Sequence, residues 1–400
     1  MFIMSVLISL AGKPNCGKST FFKAATLADV EIANYPFTTI KPNLGVSYVR
    51  AKCPCKELHL TCPKCVNGER FIAIELLDVA GLVPEAHKGK GLGNAFLDDM
   101  RQAQAIINVI DASGGTDIEG NVVPIGTHDP LDDIKFLETE ITMWMFGILH
   151  KNWIKLSRKA SASGEKIEEV IAEQYAGLGI TAVMAKQALL ETGLMEKHIT
   201  NWTEEEMVTL SDYLRVISKP LVIAANKADI APPENLEKLK GLEKEGYRVI
   251  TCSAGIELAL RNAATHGFIE YLPGDKDFTI KNPEKLSPQQ KAALEKMRDF
   301  VKKNDGTGIQ KCMDQIVFDL LGYIVAYPVE DESKFTDKSG NVLPDAFLIK
   351  KGSTARDFAF KVHTQIGESF LFGVNARTKM RLGDKYELQN NDIVKIVSTK

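Results

Sequence analysis

The sequence predicts an α/β fold in which a mostly parallel sheet is joined to a helical insertion and a small C-terminal β-grasp (ubiquitin-like) unit. Apolar runs typical of buried strands occur at residues 6–10 and return at 221–225. Residues 129–217 show helical periodicity without a strand pattern, and residues 324–400 read as short strands around one helix. We place the segment bounds as follows: sheet domain 1–128 (with a cysteine-rich hairpin at 50–68) and 218–280, helical insertion 129–217, helical connector 281–323, β-grasp unit 324–400.

Composition limits the classes of protein to which the chain can belong. Its 400 residues are 44% hydrophobic, enough for two or three domains of roughly 150 residues. The net charge of −3 does not indicate bulk nucleic-acid binding. No apolar stretch approaches the roughly 18 residues of a membrane span, and the first ten residues lack the basic flank of a signal peptide. We expect a cytoplasmic monomer that binds neither DNA nor membrane.

A phosphate-binding loop is predicted between the first strand and the helix that follows it. Residues 12–20 read Gly-Lys-Pro-Asn-Cys-Gly-Lys-Ser-Thr, a glycine and four residues before Gly-Lys-Ser. Such a loop turns backbone N–H groups toward an anion, and the helix N-terminus adds its dipole. Lys18 is expected to reach the outer phosphates, and Ser19 to ligate Mg²⁺. The other predicted nucleotide contacts in this loop are Gly12, Pro14, Asn15, Cys16, Gly17 and Thr20.

Two later segments supply candidate sensors of the γ-phosphate. Residues 31–47 contain two prolines and a glycine, which predict the kind of loop where nucleotide switches place a threonine. Thr39 is the first choice for this role, Thr38 the second, and an ordinary irregular loop is the alternative. The predicted strand 71–77 ends at Asp78, placed to hold Mg²⁺, and the Gly81 N–H is expected to meet the γ-phosphate.

A guanine-reading motif is predicted at the end of the strand at 221–225. Asn226-Lys227-Ala228-Asp229 places a carboxylate where it can accept hydrogen bonds from guanine N1 and N2. The Lys227 stem can cover the base, and after a strand at 247–252 the pair Ser253-Ala254 can present the Ala254 N–H to guanine O6. A site built this way rejects adenine, which would leave its polar atoms unpaired.

The remaining elements follow from periodicity and caps. One long helix is expected at 129–159, in which Met143, Trp144 and Met145 belong to the packing core or to a partner surface. Thr203 and Glu206 form a capping box. The other predicted elements are helices at 165–176, 181–191, 203–217 and 282–323, and strands at 105–110, 324–329, 342–349, 370–374, 386–388 and 393–397.

Four cysteines cluster before the strand that ends at Asp78. Cys53 and Cys55 are separated by one residue, and Cys62 and Cys65 by two. In a reducing cytoplasm such clustered thiols favour a metal, with Zn²⁺ held by four thiolates as the natural candidate. The first spacing is tighter than usual, and disulfides or free thiols are the alternatives.

Together the motifs at 12–20, 34–45, 78–82 and 89–94 resemble the Obg/YchF group of translation-factor-class P-loop GTPases, and the C-terminal unit resembles a TGS domain. The resemblance implies a P-loop NTPase G domain and a slow switch between GTP and GDP with ribosomal or RNA partners. Several YchF proteins carry an altered base motif and bind ATP, whereas 226–229 is intact here, which favours GTP. The cysteine hairpin is not part of the family pattern.

The resemblance also bears on catalysis. Leu82 stands where many GTPases place a water-orienting glutamine, so basal hydrolysis should be slow. In related enzymes an asparagine at the place of Asn15 holds K⁺, which makes Asn15 a candidate K⁺ ligand. Lys18, Thr39 and Gly81 are the candidate catalytic residues. His87 could orient water, although an exposed histidine without a role is the interpretation that we favour.

Local charge points to RNA. Residues 346–400 carry ten Lys or Arg against five Asp or Glu, and Arg377, Lys379 and Arg381 form a basic loop. Phosphate contacts are the expected use, and a solvated charged loop is the alternative. Three functions therefore remain open: a GTPase switch acting on the ribosome or RNA, an ATPase of the same fold, and an RNA- or ribosome-binding module with incidental hydrolysis.

Overall fold

The computed structural model describes residues 5–26, 43–89 and 99–399. Its first domain is built on a six-stranded sheet in the order β2-β3-β1-β4-β5-β6, in which every pair is parallel except β2 with β3. The strands are β1 (Leu7–Ala11), β2 (Leu44–Lys52), β3 (Glu69–Asp78), β4 (Ala105–Asp111), β5 (Leu221–Asn226) and β6 (Val249–Thr251). Every residue of β4 is buried, as expected of a strand covered on both faces.

The helices of this domain begin where the sheet strands end. α1 (Lys18–Thr26) follows β1 and packs against the helix at Ala254–Thr265. The predicted strands at 6–10, 71–77, 105–110, 221–225 and 247–252 are all confirmed to within a few residues. The predicted α/β class is therefore confirmed, and the site can be read from the strand ends.

The helical insertion consists of α2 (Pro130–His150), α3 (Trp153–Ser163), α4 (Ile167–Gln174), α5 (Ala182–Glu191) and α6 (Glu204–Ser218). The single helix predicted at 129–159 was wrong, because the chain leaves helical geometry at Asn152. The break turns the next helix so that Trp153 stacks on Trp202, with ring centroids 5.1 Å apart. The predicted capping box of Thr203 and Glu206 is confirmed at the start of α6.

The interior of the insertion is continuous with the sheet. Leu137, Ile141 and Met145 lie on one stripe of α2 and are fully buried in a core that also contains Ile106 of β4. Met145 is thus a core residue, while Trp144 is partly buried against the same core. Of the two interpretations of that segment, helix packing is the one the structure supports.

After β5 the chain forms α7 (Pro233–Gly241) and α8 (Ala254–Thr265), a hairpin of β7 (Ile269–Glu270) and β8 (Thr279–Ile280), α9 (Pro288–Asn304) and α10 (Ile309–Asp314). The prediction of a continuous helical stretch at 282–323 was wrong in the middle, where the chain is not helical between α9 and α10. Asp305 takes a left-handed conformation, and a Cβ at Gly308 would lie 2.1 Å from the Thr251 carbonyl oxygen. The chain passes so close to the end of β6 that a helix cannot continue there.

The C-terminal unit is a mixed sheet in the order β10-β9-β13-β11-β12, which confirms the predicted β-grasp. Only β9 and β13 pair in parallel. Its elements are β9 (Tyr323–Val329), β10 (Phe347–Lys350), α11 (Ala355–Val362), α12 (Thr364–Glu368), β11 (Phe370–Asn375), β12 (Arg381–Leu382) and β13 (Asp392–Ser398).

Two strand predictions in this unit were wrong. The strand expected at 342–349 begins only at Phe347. The strand expected at 386–388 is replaced by β12, because Tyr386 and Leu388 exchange backbone hydrogen bonds with the turn before α11 instead. Leu388 is buried beneath that turn, which explains its apolar character. Within the described ranges, none of the helices is both long and apolar enough to span a bilayer.

Candidate nucleotide site

The carboxyl ends of the parallel strands bring the predicted motifs to one edge of the sheet. Leu10 of β1 pairs with Asp78 of β3, and Asp111 of β4 pairs with Asn226 of β5. The glycine loop leaves β1 at this edge and enters α1 at Lys18. Ligands of open parallel sheets bind in the crevice outside these strand ends. The fold thus places the loop, the Asp78 strand end and the 226–229 motif around one crevice.

The glycine loop has the backbone of an anion cradle. Gly17 has a φ of 100°, and a Cβ there would lie 2.3 Å from the Asn226 side-chain nitrogen. Gly12 has a φ of 143°, and a Cβ there would lie 2.3 Å from the Val109 carbonyl oxygen. Lys18 is buried, and its Nζ donates to the carbonyl oxygens of Gly12 at 3.0 Å and Lys13 at 2.8 Å. The lysine therefore curls back over its own loop, where an incoming phosphate would compete for its charge.

Ser19 and Asp78 form the pair expected of a Mg²⁺ site. Ser19 Oγ donates to Asp78 Oδ2 at 3.1 Å, while Asp78 Oδ1 is buried with no hydrogen-bond partner among the described residues. Burial raises the pKa of Asp78, against the opposing influence of Ser19 and Lys18. Ser19 and Asp78 line a cleft of about 520 Å³, together with Lys18 and Gly81. Hydroxyl and carboxylate oxygens are suitable ligands for Mg²⁺, so these residues fit that ion.

Asn226 connects the two halves of the site. Its Nδ2 donates to the Cys16 carbonyl oxygen at 3.0 Å, and its Oδ1 accepts from the Ala254 N–H at 3.0 Å. The Ala254 N–H, which is expected to reach guanine O6, donates to Asn226 in this structure and the residue is 1% exposed, so the O6 contact would require this N–H to exchange partners. Ser253 instead caps α8, accepting from the Ile256 N–H at 3.2 Å. Asp229, three residues beyond Asn226, is exposed.

Lys227 lies along the glycine loop. Its Nζ donates to the Asn15 carbonyl oxygen at 2.9 Å and forms an ion pair with Asp111 at 2.8 Å. The backbone at Lys227 is left-handed, with a φ of 59°. Its side chain is 30% exposed.

Asp111 is a residue that sequence reasoning missed. It ends β4, is fully buried, and accepts from Ser113, Thr116 and Lys227. Burial alone would raise the pKa of Asp111, but the hydrogen bond from Lys227 and those from the two hydroxyls lower it. Its signal in the sequence was an aspartate at the end of a buried strand, the same pattern that singled out Asp78.

A second missed group joins the glycine loop to the helical insertion. Lys13, 1% exposed, donates to Asp133 of α2 at 2.8 Å and to the Thr116 carbonyl oxygen at 2.7 Å. His128 Nε2 lies 2.7 Å from the same Asp133 oxygen. Burial raises the pKa of Asp133, against the opposing effect of Lys13. The variable second position of the loop motif gave no indication of this contact.

The segment after Asp78 is held by the same helix. Glu140 of α2 accepts from the backbone N–H groups of Glu85 at 2.8 Å and His87 at 2.9 Å, and lies 2.6 Å from His87 Nδ1. The favoured interpretation of His87 as an exposed histidine was wrong, since its side chain is 15% exposed and bound to Glu140. No pattern in the sequence linked residues so far apart.

The remaining predicted site residues are placed as follows. Asn15 has a φ of 59° and donates through Nδ2 to the Gly120 carbonyl oxygen at 3.0 Å. Leu82 is 1% exposed in the core, so it cannot meet an attacking water. Pro14 lines the same cleft as Ser19 and Asp78, and Thr20 belongs to the first turn of α1. Thr38 and Thr39 lie outside the described residues.

The four clustered cysteines converge. Their Sγ atoms all lie within 4.8 Å of one another, with Cys53, Cys55 and Cys62 buried and Cys65 partly exposed. All seven cysteines are free thiols, and the Cys55 and Cys65 Sγ atoms are 3.4 Å apart. Four sulfurs at this separation suit a tetrahedral ion with metal–sulfur bonds of about 2.3 Å.

The predicted basic loop of the C-terminal unit is not uniformly free. Arg377 forms an ion pair with Glu57 of the cysteine hairpin. Lys379 is exposed, but donates to the Glu332 carbonyl oxygen. The guanidinium of Arg381 lies over the Phe372 ring at 3.9 Å from its centroid and is also exposed. Lys379 and Arg381 expose their charges to solvent, whereas the charge of Arg377 is paired with Glu57.

Fold and site together define a P-loop nucleotide-binding protein. Comparisons with known proteins identify the family within this class. Residues 7–137 match a family model described as 50S ribosome-binding GTPase. Residues 224–331 match the Obg-like GTPase YGR210-like, G4 motif-containing domain, and residues 336–398 match the TGS domain.

Two of three similar proteins cover nearly the whole chain, and the third covers about two thirds of it. A GTP-binding protein of Methanocaldococcus jannaschii is 52% identical over 98% of this chain and 99% of its own. The ribosome-binding ATPase YchF of Haemophilus ducreyi is 31% identical, over 70% of this chain and 73% of its own. The crystal structure of a GTP binding protein from Pyrococcus horikoshii OT3 covers 98% of this chain and 99% of its own, with 42% identity and a TM-score of 0.77. The chain belongs to the Obg-like, YchF-type family of P-loop GTPases, and the expected resemblance is confirmed.

Proposed function

We propose that the protein binds GTP and hydrolyses it slowly, acting as a molecular switch. The observation that carries this proposal is the position of Asn226, which ties the glycine loop to the loop before α8 and thereby fixes the motif 226–229 beside the phosphate cradle. Asp229 is exposed there and free to meet a base. A carboxylate at that place pairs with two guanine donors that adenine lacks.

The chemistry follows from the groups around the cleft. Lys18 would bind the outer phosphates, and Ser19, Asp78 and Thr39 would hold Mg²⁺, which supplies charge neutralisation at the phosphates when bound. The Gly81 N–H would contact the γ-phosphate. Leu82 is buried and apolar, so no side chain at that position orients water. Slow turnover is the consequence. K⁺ beside Asn15 would supply positive charge in the transition state.

Nucleotide competition tests the base preference. We expect GDP to bind far more tightly than ADP, and Asp229→Asn to weaken GDP binding while favouring xanthosine diphosphate. Asp299, exposed on α9, provides a matched control, since Asp299→Asn should leave all three affinities unchanged. Equal binding of GDP and ADP by the wild type would refute the base assignment and favour the ATPase alternative, the activity for which the Haemophilus relative is named.

A second proposed property is binding to the ribosome or its RNA through the TGS domain, which would also place the protein in the cytoplasm. Its support is the excess of basic residues in 346–400, the exposure of Lys379 and Arg381, and the relatives named as ribosome-binding. Cosedimentation with ribosomal particles at several salt concentrations tests it. Phosphate contacts predict binding that weakens steeply as salt rises.

A structural Zn²⁺ on the four cysteines is the third proposed property. The sulfur separations fit the ion, and all four thiols are free to ligate. Metal analysis of protein purified without chelator should give about one equivalent of zinc. Less than about a tenth of an equivalent would exclude the site.

A further inference from the structure

The cysteine hairpin lies between the sheet domain and the β-grasp unit. Cys53, Cys55 and Cys62 share one apolar core with sheet residues such as Ile74 and with Val325, Val329 and Leu343 of the C-terminal unit. Glu57, from the loop between the two cysteine pairs, forms the ion pair with Arg377 described above. The hairpin is therefore an interdomain contact as well as a thiol cluster.

Arg70 joins the thiols to the C-terminal unit directly. It lies on β3, is 4% exposed, and its Nη2 donates to Cys62 Sγ at 3.4 Å and to the Leu343 carbonyl oxygen at 2.5 Å. Its guanidinium also lies 5.7 Å from the Tyr327 ring centroid. One side chain thus touches a thiol, a backbone carbonyl and an aromatic ring of β9.

When the thiols are neutral, buried polar groups in this contact lack a countercharge or a hydrogen-bond partner. Among the described residues no carboxylate forms an ion pair with Arg70, although its cation is buried, and Arg70 Nε has no hydrogen-bond partner. The Tyr327 hydroxyl, also fully buried, has none either. A buried unpaired cation is strongly unfavourable. An anionic cluster of sulfurs beside it would remove the imbalance.

A zinc tetrathiolate is such a cluster. One Zn²⁺ and four thiolates carry a net charge of −2, and sulfurs that ligate zinc accept hydrogen bonds from neighbouring donors. Arg70 would then be the countercharge of the metal site on one side and the link to Leu343 and Tyr327 on the other. Neutral thiols give Arg70 no such partner.

We propose that the metal-loaded cysteine hairpin, through Arg70, is the brace that fastens the β-grasp unit to the sheet domain. This inference rests on the zinc site proposed above and adds a role for it: loss of the metal releases the C-terminal unit from its docked position. Since that unit carries the exposed basic residues, the brace sets where Lys379 and Arg381 stand relative to the nucleotide site.

The test uses full-length protein with zinc and after its removal by a thiol reagent and chelator. We expect small-angle X-ray scattering to show a larger radius of gyration without zinc, and amide hydrogen exchange at residues 335–346 to quicken about tenfold or more. Cys62→Ser should reproduce both effects. Cys312→Ser, a buried cysteine outside the cluster, is the matched control and should change neither.

Arg70→Gln separates the brace from the metal site. It should keep about one equivalent of zinc and unchanged GDP binding, yet show the faster exchange at 335–346. Zinc-loaded protein whose scattering and exchange do not respond to metal removal would overturn the brace while leaving the zinc site intact. Protein that binds no zinc would overturn both, and nucleotide binding would be unaffected by either result.

Discussion

Replacing Asn226 by alanine tests the connection on which the proposed nucleotide site depends. The change removes the donor to the Cys16 carbonyl and the acceptor for the Ala254 N–H, and both of those residues are almost fully buried. Each backbone group left without a partner costs about 1–3 kcal/mol, so a total of roughly 2–6 kcal/mol is expected, at the lower end if water enters the space. The glycine loop and the loop before α8 would then no longer be held together.

Two measurements follow. Calorimetry should show that the sheet domain unfolds at a lower temperature. Titration with a fluorescent GDP should show an affinity at least tenfold weaker, since 1.4 kcal/mol corresponds to a factor of ten. Asn235→Ala is the matched control. It removes one buried hydrogen bond, to the Ala112 carbonyl, away from the loop, so it should lower stability by about 1–3 kcal/mol without altering GDP affinity. Asn226→Ala protein with GDP affinity within twofold of the wild type would refute the reasoning.

Further outcomes are expected from smaller changes. Lys18→Ala should abolish GTP binding or turnover in a nucleotide-release assay, because Lys18 is the lysine positioned over the phosphate cradle. GTP hydrolysis should be faster in K⁺ than in Na⁺, with Asn15→Ala removing the difference; equal wild-type rates would eliminate the potassium site. Burial lowers the pKa of Lys219 to about 8. Between pH 8 and about 10.4 the folded state has therefore lost a proton that the unfolded state keeps, so stability rises with pH. Over this range the free energy of unfolding of the wild type should increase by up to about 3 kcal/mol relative to that of Lys219→Met. Denaturant titrations across that range would show a constant difference if the lysine titrates normally. Reversing the charge of Lys379 and Arg381 together should weaken ribosome cosedimentation and flatten its salt dependence, and unchanged binding would make that loop ordinary surface.

Much of this protein could be predicted from sequence because its signals are local. The loop 12–20, the strand ending at Asp78 and the motif 226–229 each depend on residues close together in the chain, whose backbone needs are set by neighbours. Continuous apolar runs predict buried parallel strands, and the capping box predicts the start of α6. The C-terminal β-grasp followed from the order of short strands and one helix.

Contacts between distant residues were decided by the tertiary structure alone. Lys13 meets Asp133, Glu140 holds the segment at His87, and Asn226 takes the Ala254 N–H that was expected to reach a base. Each pairs side chains or backbone groups from different elements, and nothing in the local pattern of either partner specifies the other. The helix break at Asn152 is likewise tied to a distant contact, since it accompanies the stacking of Trp153 on Trp202.

The cysteine hairpin was predictable from sequence in one respect and not in another. Its spacing identified a cluster of thiols from sequence, because four cysteines in so short a segment must lie near one another. That the cluster faces the β-grasp unit, with Arg70 buried between a thiol and the Leu343 carbonyl, depends on how two domains pack. Domain packing is set by complementary surfaces assembled from many segments, and for that reason only the folded chain could reveal it.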